Sequence, residues 1–165
     1  MRPLTAGPDV KGMVQVSLKS PNVPVGTADT WNVWVDQNTN GIVSRACDVV
    51  LMNGFPFWQG ATPGEALEKL KQAIWDTRRA VGYEKPFVIG ETGWPSRGPN
   101  FGAAVASLEN AQAYWKAAAC WLQASPSNYP WFWFSAWDEP NKAEGVEQAF
   151  GVGMNTQPLK FNLQC

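Results

Sequence analysis

The chain has 165 residues and a net charge of −1, and its isoelectric point is near 5.4. Hydrophobic residues make up 45% and charged residues 16%, as in a single globular domain with a buried core. The charge excludes a basic surface for nucleic acid, and no apolar run reaches the roughly 18 residues of a membrane span. We expect neither kind of partner, and the first residues show no signal peptide.

Histidine is absent, which excludes Ser-His-Asp and Cys-His catalysis and any metal site built on imidazole. Proton transfer near neutral pH must therefore come from carboxylates, lysine, tyrosine or cysteine. The spacing of Cys47, Cys120 and Cys165 indicates no zinc or thioredoxin-type site, so no metal or cofactor is expected. One disulfide with a free thiol and three buried thiols remain equal alternatives.

Four segments predict β-strands: residues 23–27, 48–52, 86–90 and 131–137. Their continuous apolar runs are typical of parallel strands that are buried on both faces. Residues 13–18 alternate like a strand but could equally end a helix that precedes residue 23.

Two helices are predicted between the later strands. Thr62, Pro63 and Glu65 form a capping signature at the start of the first, and Gly82 is its stop signal. The second runs from about residue 107 to 124, where apolar residues recur every three or four positions. Strands that alternate with helices predict an α/β fold with a parallel sheet. Four such strands make half of a (β/α)₈ barrel, so residues 1–165 are interpreted as a single partial domain.

Function in a parallel α/β sheet lies at the carboxyl ends of the strands. Three of the four predicted strand ends carry a carboxylate, and all four carry a tryptophan within a few residues. The chain has ten tryptophans, each of which could pack in the core or offer a flat ring to a sugar. Acids and flat aromatic rings on one rim favour carbohydrate cleavage.

Residues 88–96, Val-Ile-Gly-Glu-Thr-Gly-Trp-Pro-Ser, resemble the signature of glycoside hydrolase family 17, the β-1,3-glucanases and glucanosyltransferases. The resemblance implies that Glu91 is the catalytic nucleophile at the end of the seventh barrel strand. Residues 24–31, 53–60 and 133–142 are similar to the fifth-, sixth- and eighth-strand blocks of the fungal cell-wall branch. The chain is thereby identified as the C-terminal half, strands 5–8, of a TIM barrel.

The resemblance also implies β-1,3-glucan as substrate, an extracellular or cell-wall location, and a set of sugar contacts. That set is Asp29, Trp31, Asn53, Phe57, Trp58, Trp94, Trp137, Glu139 and Lys142. Simpler roles are open for several of them: a helix cap for Asp29, a core position for Phe55 or Phe57, and an ordinary surface ion pair for Glu139 with Lys142.

The sequence departs from the family pattern at two points. Phe55 stands where plant-type relatives carry a tyrosine whose hydroxyl bonds the nucleophile. The acid/base glutamate of the family follows an asparagine on the fourth strand, and no Asn-Glu pair occurs here. The chain is therefore interpreted as a fragment rather than a short half-barrel with apolar edges. Retaining hydrolysis or transfer is the leading hypothesis; glucan binding without turnover and a purely structural remnant are the alternatives.

Overall fold

The computed structural model describes residues 22–38, 40–125, 129–154 and 158–165. Within them, one sheet contains four parallel strands in the order β1-β2-β3-β4, which confirms the predicted parallel α/β architecture. The strands are β1 (Gly26–Thr30), β2 (Val49–Asn53), β3 (Phe87–Thr92) and β4 (Trp131–Trp133). The ambiguous segment at residues 13–18 lies outside the described residues.

Helices connect consecutive strands. They are α1 (Trp31–Val35), α2 (Asn40–Ala46), α3 (Pro63–Val81) and α4 (Leu108–Ala124), with short 3₁₀ turns at Pro56–Gln59 and Val146–Gln148. The predicted start of α3 is confirmed: the amide and the hydroxyl of Thr62 both donate to the Glu65 carboxylate, and Pro63 is the first helical residue. Gly82 ends the helix at a φ of 92°, which favours glycine.

Two strand boundaries differ from the prediction. β1 begins at Gly26 instead of residue 23, because Pro24 has no N–H to donate and the Val25 N–H bonds the Asp48 side chain. β4 ends at Trp133 instead of residue 137, because the Ser135 backbone pairs with residues 150 and 152 rather than with β3.

The two faces of the sheet are buried to different degrees. Val50, Met52 and Ile89 are fully buried, and they pack with α3 and α4 in the hydrophobic core. The alternate residues point to the opposite face, where Leu51 is only half-buried and Phe132 is 61% exposed. The core of the described chain therefore lies between the sheet and its helices.

A β-bulge interrupts β3 just before its end. Met52 of β2 lies opposite Ile89, but the next residue, Asn53, lies opposite Glu91 instead of Gly90. One extra residue in β3 thus turns Glu91 to the face that Asn53 occupies. In a regular strand, Glu91 would share the helix-facing side with Ile89.

The pairing of β3 with β4 shows the same bulge. Ile89 lies opposite Trp131 and Thr92 opposite Trp133, so three steps along β3 match two steps along β4. Thr92 returns to the helix side, where it is fully buried and its hydroxyl lies 2.6 Å from the Tyr114 hydroxyl of α4. The bulge is therefore held from behind by the helical layer.

Of the two arrangements predicted for the cysteines, the structure has the one with a disulfide and a free thiol. Cys120 at the end of α4 and Cys165 form a disulfide, and Cys47 is buried as a free thiol. The Trp115 indole also donates to the Leu163 carbonyl at 3.1 Å. The last residues of the chain are thus attached to α4 at two points.

Candidate functional site

An open cleft of about 360 Å³ lies at the carboxyl ends of the strands. Its lining residues come from all four strand ends and from the loop beyond β4: Thr30, Asn53, Phe55, Trp58, Glu91, Phe134, Lys142, Glu147 and Phe150. A second hollow of about 270 Å³ shares Thr30, Asn53, Phe55 and Trp58 with it and adds Trp31, Asn32 and Gln59. The two hollows form a continuous groove across the strand ends.

The floor of the groove contains a row of polar side chains from three neighbouring strands. Thr30 lies opposite Asn53, which lies opposite Glu91. Gly90 allows this close approach, because a Cβ there would lie only 2.6 Å from Asn53 Oδ1. Asn53 Oδ1 is buried and has no hydrogen-bond partner among the described residues, which leaves it available to a ligand.

Burial raises the pKa of the Glu91 carboxyl above its ordinary value of 4.5. The Lys142 ammonium opposes this shift, whereas the negative charges of Glu147 and Glu139 add to it. Glu91 is thus a partly desolvated carboxylate in a groove that contains other charges, which is a frequent property of catalytic carboxyl groups.

Lys142 is the centre of the charged cluster next to Glu91. Its ammonium lies 2.8 Å from Glu139 Oε2 and 3.9 Å from Glu147 Oε2, and 4.4 Å above the Phe134 ring. The ion pair and the cleft position that the sequence suggested for Lys142 are therefore both present. The sequence did not predict Glu147 as a groove residue, because it follows the eighth-strand block at residues 133–142 and belongs to no motif.

Phe55 lines the groove at the position of the expected tyrosine. Its ring packs edge-on against Phe134 and Phe150, with centroids 5.8 and 5.6 Å away. Phe55 has no hydroxyl to offer Glu91, and Asn53 is the polar side chain that lies opposite Glu91 in the sheet and lines the same groove. Phe150 belongs to no motif, and the sequence alone did not identify it.

Two residues that were predicted to contact sugar are buried in the core instead. Phe57 is 0% and Trp94 1% exposed, and their rings pack together at 5.4 Å. The 3₁₀ turn after Phe55 directs Phe57 into the core, and the Trp94 indole donates to the Val105 carbonyl. Their role is to support the groove from below, since Phe57 packs edge-on against exposed Trp58 at 5.1 Å.

Asp29 is also not part of the groove. It lies opposite Met52 on the helix-facing side of the sheet, and its carboxylate accepts the Thr30 N–H at 2.7 Å. Strand alternation places its neighbour Thr30 in the groove instead. The groove residue at this strand end is therefore Thr30, one position after the predicted contact.

The other three tryptophans predicted to contact sugar divide into two groups. Exposed Trp58 lines both hollows, and half-buried Trp31 lines the second. Trp137 is exposed as well, but it lies over Gly153 and lines neither hollow.

Two further kinds of feature are absent from the described residues. No group of acidic or cysteine side chains there could hold a metal ion, and none of the helices has the length and apolar character of a membrane span.

Carboxylates and exposed aromatic rings at this edge of a parallel α/β sheet are an arrangement that glycoside hydrolases use. The sequence model of the BtgE/BtgC glycoside hydrolase domain matches residues 8–151. The chain belongs to this family of glycoside hydrolases, and the resemblance to family 17 is thereby confirmed.

Two fungal proteins illustrate the sequence similarity. The chain is 35% identical over 170 residues to a glucan 1,3-β-glucosidase of Schizosaccharomyces pombe, which covers 95% of this chain and 50% of that protein. A Saccharomyces cerevisiae protein of the same name is 36% identical over 151 residues, 86% of this chain and 47% of its own length. The chain thus spans about half the length of these relatives.

Two solved structures have the same fold. One is the family 17 β-1,3-glucanosyltransferase of Rhizomucor miehei, with a TM-score of 0.81, 31% identity, and coverage of 97% of this chain and 57% of that one. An active-site mutant of that enzyme in complex with laminaritriose has a TM-score of 0.80 and 30% identity, over 99% of this chain and 60% of that one.

Proposed function

We propose that the chain is the C-terminal half, strands 5–8, of a (β/α)₈ barrel that acts on β-1,3-glucan. The half-length match to the relatives supports this, as does a sheet that is well covered on its helix side and partly exposed on the other. In a closed barrel, the second face would be covered by the side chains of the remaining strands. Residues 1–165 then form one partial catalytic domain.

The proposed reaction is hydrolysis or transfer of β-1,3-glucan with retention, and Glu91 is its nucleophile. The observation that carries this role is the bulge that turns Glu91 into the groove. The Glu91 carboxylate attacks the anomeric carbon and the glycosidic oxygen leaves with a proton from a second carboxyl group. Water or a sugar hydroxyl then releases the glycosyl ester, which gives hydrolysis or transfer respectively.

The proton donor is proposed to come from the preceding half of the barrel. Retaining enzymes hold the two carboxyl groups roughly 5–5.5 Å apart. The other carboxylates near the groove, Glu139 and Glu147, are both paired with the Lys142 ammonium, at 2.8 and 3.9 Å. They are therefore better suited to hydrogen-bonding sugar hydroxyls than to donating a proton.

The proposed sugar contacts are Trp31, Asn53, Trp58, Glu139 and Lys142. The rings of exposed Trp58 and half-buried Trp31 line the groove and suit the C–H faces of glucose units, and the polar groups suit the hydroxyls. Trp137 would contact only a glucan that extends beyond the groove. Secretion to the cell wall is part of the proposal, because a disulfide such as Cys120–Cys165 persists in oxidising compartments.

The test is release of reducing sugar from laminarin by the longer protein that contains this chain and the preceding half of the barrel, with the anomer of the first product read by proton NMR. We expect the β-anomer from the wild type and a rate lower by roughly a thousandfold or more for Glu91→Gln, as for loss of a covalent nucleophile. Glu84→Gln removes an exposed carboxylate near the other end of β3 and is the matched control. Equal activity of the wild type and Glu91→Gln would refute the nucleophile role.

A second candidate is glucan binding without turnover. It is favoured by the pairing of both further carboxylates with Lys142, which leaves no free acid in the described part of the groove. It predicts laminarin pull-down that survives Glu91→Gln and is lost in Trp58→Ala, without sugar release by the chain alone. The mass of the protein isolated from its source separates the two, since a value near twice 18.1 kDa indicates the missing half.

A further inference from the structure

A buried ion pair lies below the groove, outside the site described above. Lys160 Nζ is 2.6 Å from Asp138 Oδ1, and the two side chains are only 5% and 10% exposed. Charges are seldom buried to this extent, because removal from water is unfavourable unless every proton and lone pair finds a partner. The surrounding contacts show what this ammonium joins.

The Lys160 ammonium contacts three separate segments of the chain. Besides Asp138, it donates to Ser96 Oγ at 2.7 Å and lies 3.5 Å from the Ala149 carbonyl. Ser96 is fixed in turn, since its N–H and its hydroxyl both donate to that same carbonyl. The three protons of a lysine ammonium are thus directed at three different loops.

Two of these loops carry the charged groups of the groove. Ser96 follows Glu91 by five residues in the segment after β3, and Asp138 directly precedes Glu139 in the segment after β4. Asp138 is held further by the Gly151 N–H, which donates to the same oxygen at 3.1 Å. Lys160 is therefore a link between the loop that follows Glu91 and the loop that contains Glu139 and Lys142.

The segment that supplies Lys160 is itself anchored away from the groove. The Lys160 N–H donates to the Val152 carbonyl at 2.7 Å, and Phe161 is buried in the core. Further on, the Leu163 carbonyl accepts the Trp115 indole and Cys165 is joined to Cys120. The position of the ammonium is thus set by α4 and the core rather than by a ligand.

We propose that Lys160 is a positioning residue, which holds the Glu139–Lys142 loop at a fixed place relative to Glu91 in the groove whose function is proposed above. Lys160 lines neither hollow, and its ammonium is occupied by Asp138, Ser96 and the Ala149 carbonyl. It acts through Asp138 and Ser96, whose loops it keeps together. Without its charge, the two loops separate, the groove becomes wetter, and Glu91 loses both its burial and its neighbours.

The variants are chosen to separate this role from plain stabilisation. Lys160→Met keeps the length of the side chain and removes the charge. Lys160→Met/Asp138→Asn also removes the carboxylate charge, which would otherwise keep only Arg97, 3.9 Å from Asp138 Oδ2, as its partner. Lys160→Arg keeps the charge but replaces the compact ammonium with a planar guanidinium, which changes the geometry of the hydrogen bonds. Lys116→Met, at an exposed position of α4, is the matched control.

Two measurements are made on each folded variant. The first is the titration of the Glu91 side-chain carboxyl carbon by NMR, assigned by its absence in Glu91→Gln. The second is calorimetric binding of laminaritriose. We expect the Glu91 pKa to move down towards 4.5 in Lys160→Met and in the double variant, because solvent reaches the carboxylate. Laminaritriose should bind about tenfold more weakly, as expected for loss of one coupled contact, and Lys116→Met should match the wild type.

An unchanged Glu91 titration together with unchanged laminaritriose binding in a folded variant without the Lys160 charge would overturn the proposal. If neither charge-free variant folds, Lys160→Arg decides by the same two readouts, with a smaller change in the same direction expected. If the longer protein that includes the preceding half of the barrel does not bind laminaritriose, the proposed function is refuted, while the titration of Glu91 still tests the positioning role.

Discussion

The two faces of the sheet are built from the same strands and yet differ in how they are packed. On one face, Val50, Met52 and Ile89 are fully buried beneath the helices. On the other, Leu51 is half-buried and Phe132 is 61% exposed. Glu91 belongs to the second face, and only because of the bulge in β3.

This contrast separates stability from function. The helix-facing side contains a complete hydrophobic core, and we expect most of the free energy of unfolding to come from it. The opposite side combines incomplete apolar cover with the polar row at the strand ends, so substitutions there should affect ligand binding and catalysis more than stability. Neighbouring residues on one strand allow a direct test.

The largest difference is expected between Met52→Ala and Leu51→Ala. Met52 is fully buried, and its truncation leaves a cavity that should lower the free energy of unfolding by about 2–5 kcal/mol. Leu51 already retains contact with solvent, so its truncation should lower it by about 1 kcal/mol. Urea unfolding of both variants measures the difference. Equal losses would mean that the two faces are packed equally well.

The second prediction concerns the close approach at the bulge. Gly90→Ala would place a Cβ 2.6 Å from Asn53 Oδ1 and 3.3 Å from Leu51 Cβ, which should lower the free energy of unfolding by about 1–3 kcal/mol. Gly64→Ala is the control, because a Cβ there has no neighbour within 4 Å among the described residues and lies in α3. It should raise stability by about 0.5 kcal/mol. A neutral Gly90→Ala in the same unfolding assay would contradict the tight contact.

A smaller effect is expected behind the bulge, on the helix side. Tyr114→Phe leaves the buried Thr92 hydroxyl without its partner and should lower the free energy of unfolding by about 1–2 kcal/mol. The double variant Tyr114→Phe/Thr92→Val removes both polar groups and should recover part of that loss. Chemical denaturation of the three variants checks this, and a double variant less stable than the single one would rule it out.

The smallest effect is a pH dependence at Glu91. Its pKa is higher in the folded chain than 4.5, so the folded state holds the proton more tightly and loses stability as pH rises through that window. Glu91→Gln cannot ionise, so its melting temperature relative to the wild type should increase from low pH to neutral pH and then level off. Thermal melts across pH, with Glu84→Gln for comparison, measure the trend. A relative decrease would show that Lys142 outweighs burial.

The sequence predicted the parallel order of the strands, because apolar runs that alternate with helical periodicity have few other arrangements. The capped start of α3 was also predictable, since Thr62, Pro63 and Glu65 act locally. Glu91 stood out by its motif, and its position in the groove agrees with the prediction. Its role as nucleophile stays a prediction.

The rest depended on tertiary structure. Whether a tryptophan faces solvent is decided by the packing of distant segments, so the sequence did not distinguish buried Trp94 from exposed Trp58. Asp29 was predicted as a contact because the strand was expected to end at residue 27. The strand continues to Thr30, and its alternation places Thr30 rather than Asp29 in the groove. Lys160 reaches its partners across 22 and 64 positions of sequence, and no local pattern indicates such contacts.

The bulge at Gly90 and Glu91 changes which residues of β3 face the helices. Up to Ile89 the odd-numbered residues face the helices, and after the bulge the even-numbered Thr92 does. Deleting Gly90 would remove the extra residue and leave Glu91 directly after Ile89, still opposite Asn53 on the groove side, with Thr92 still on the helix side. Among related sequences, a one-residue gap at this point is therefore compatible with a carboxylate that faces the groove.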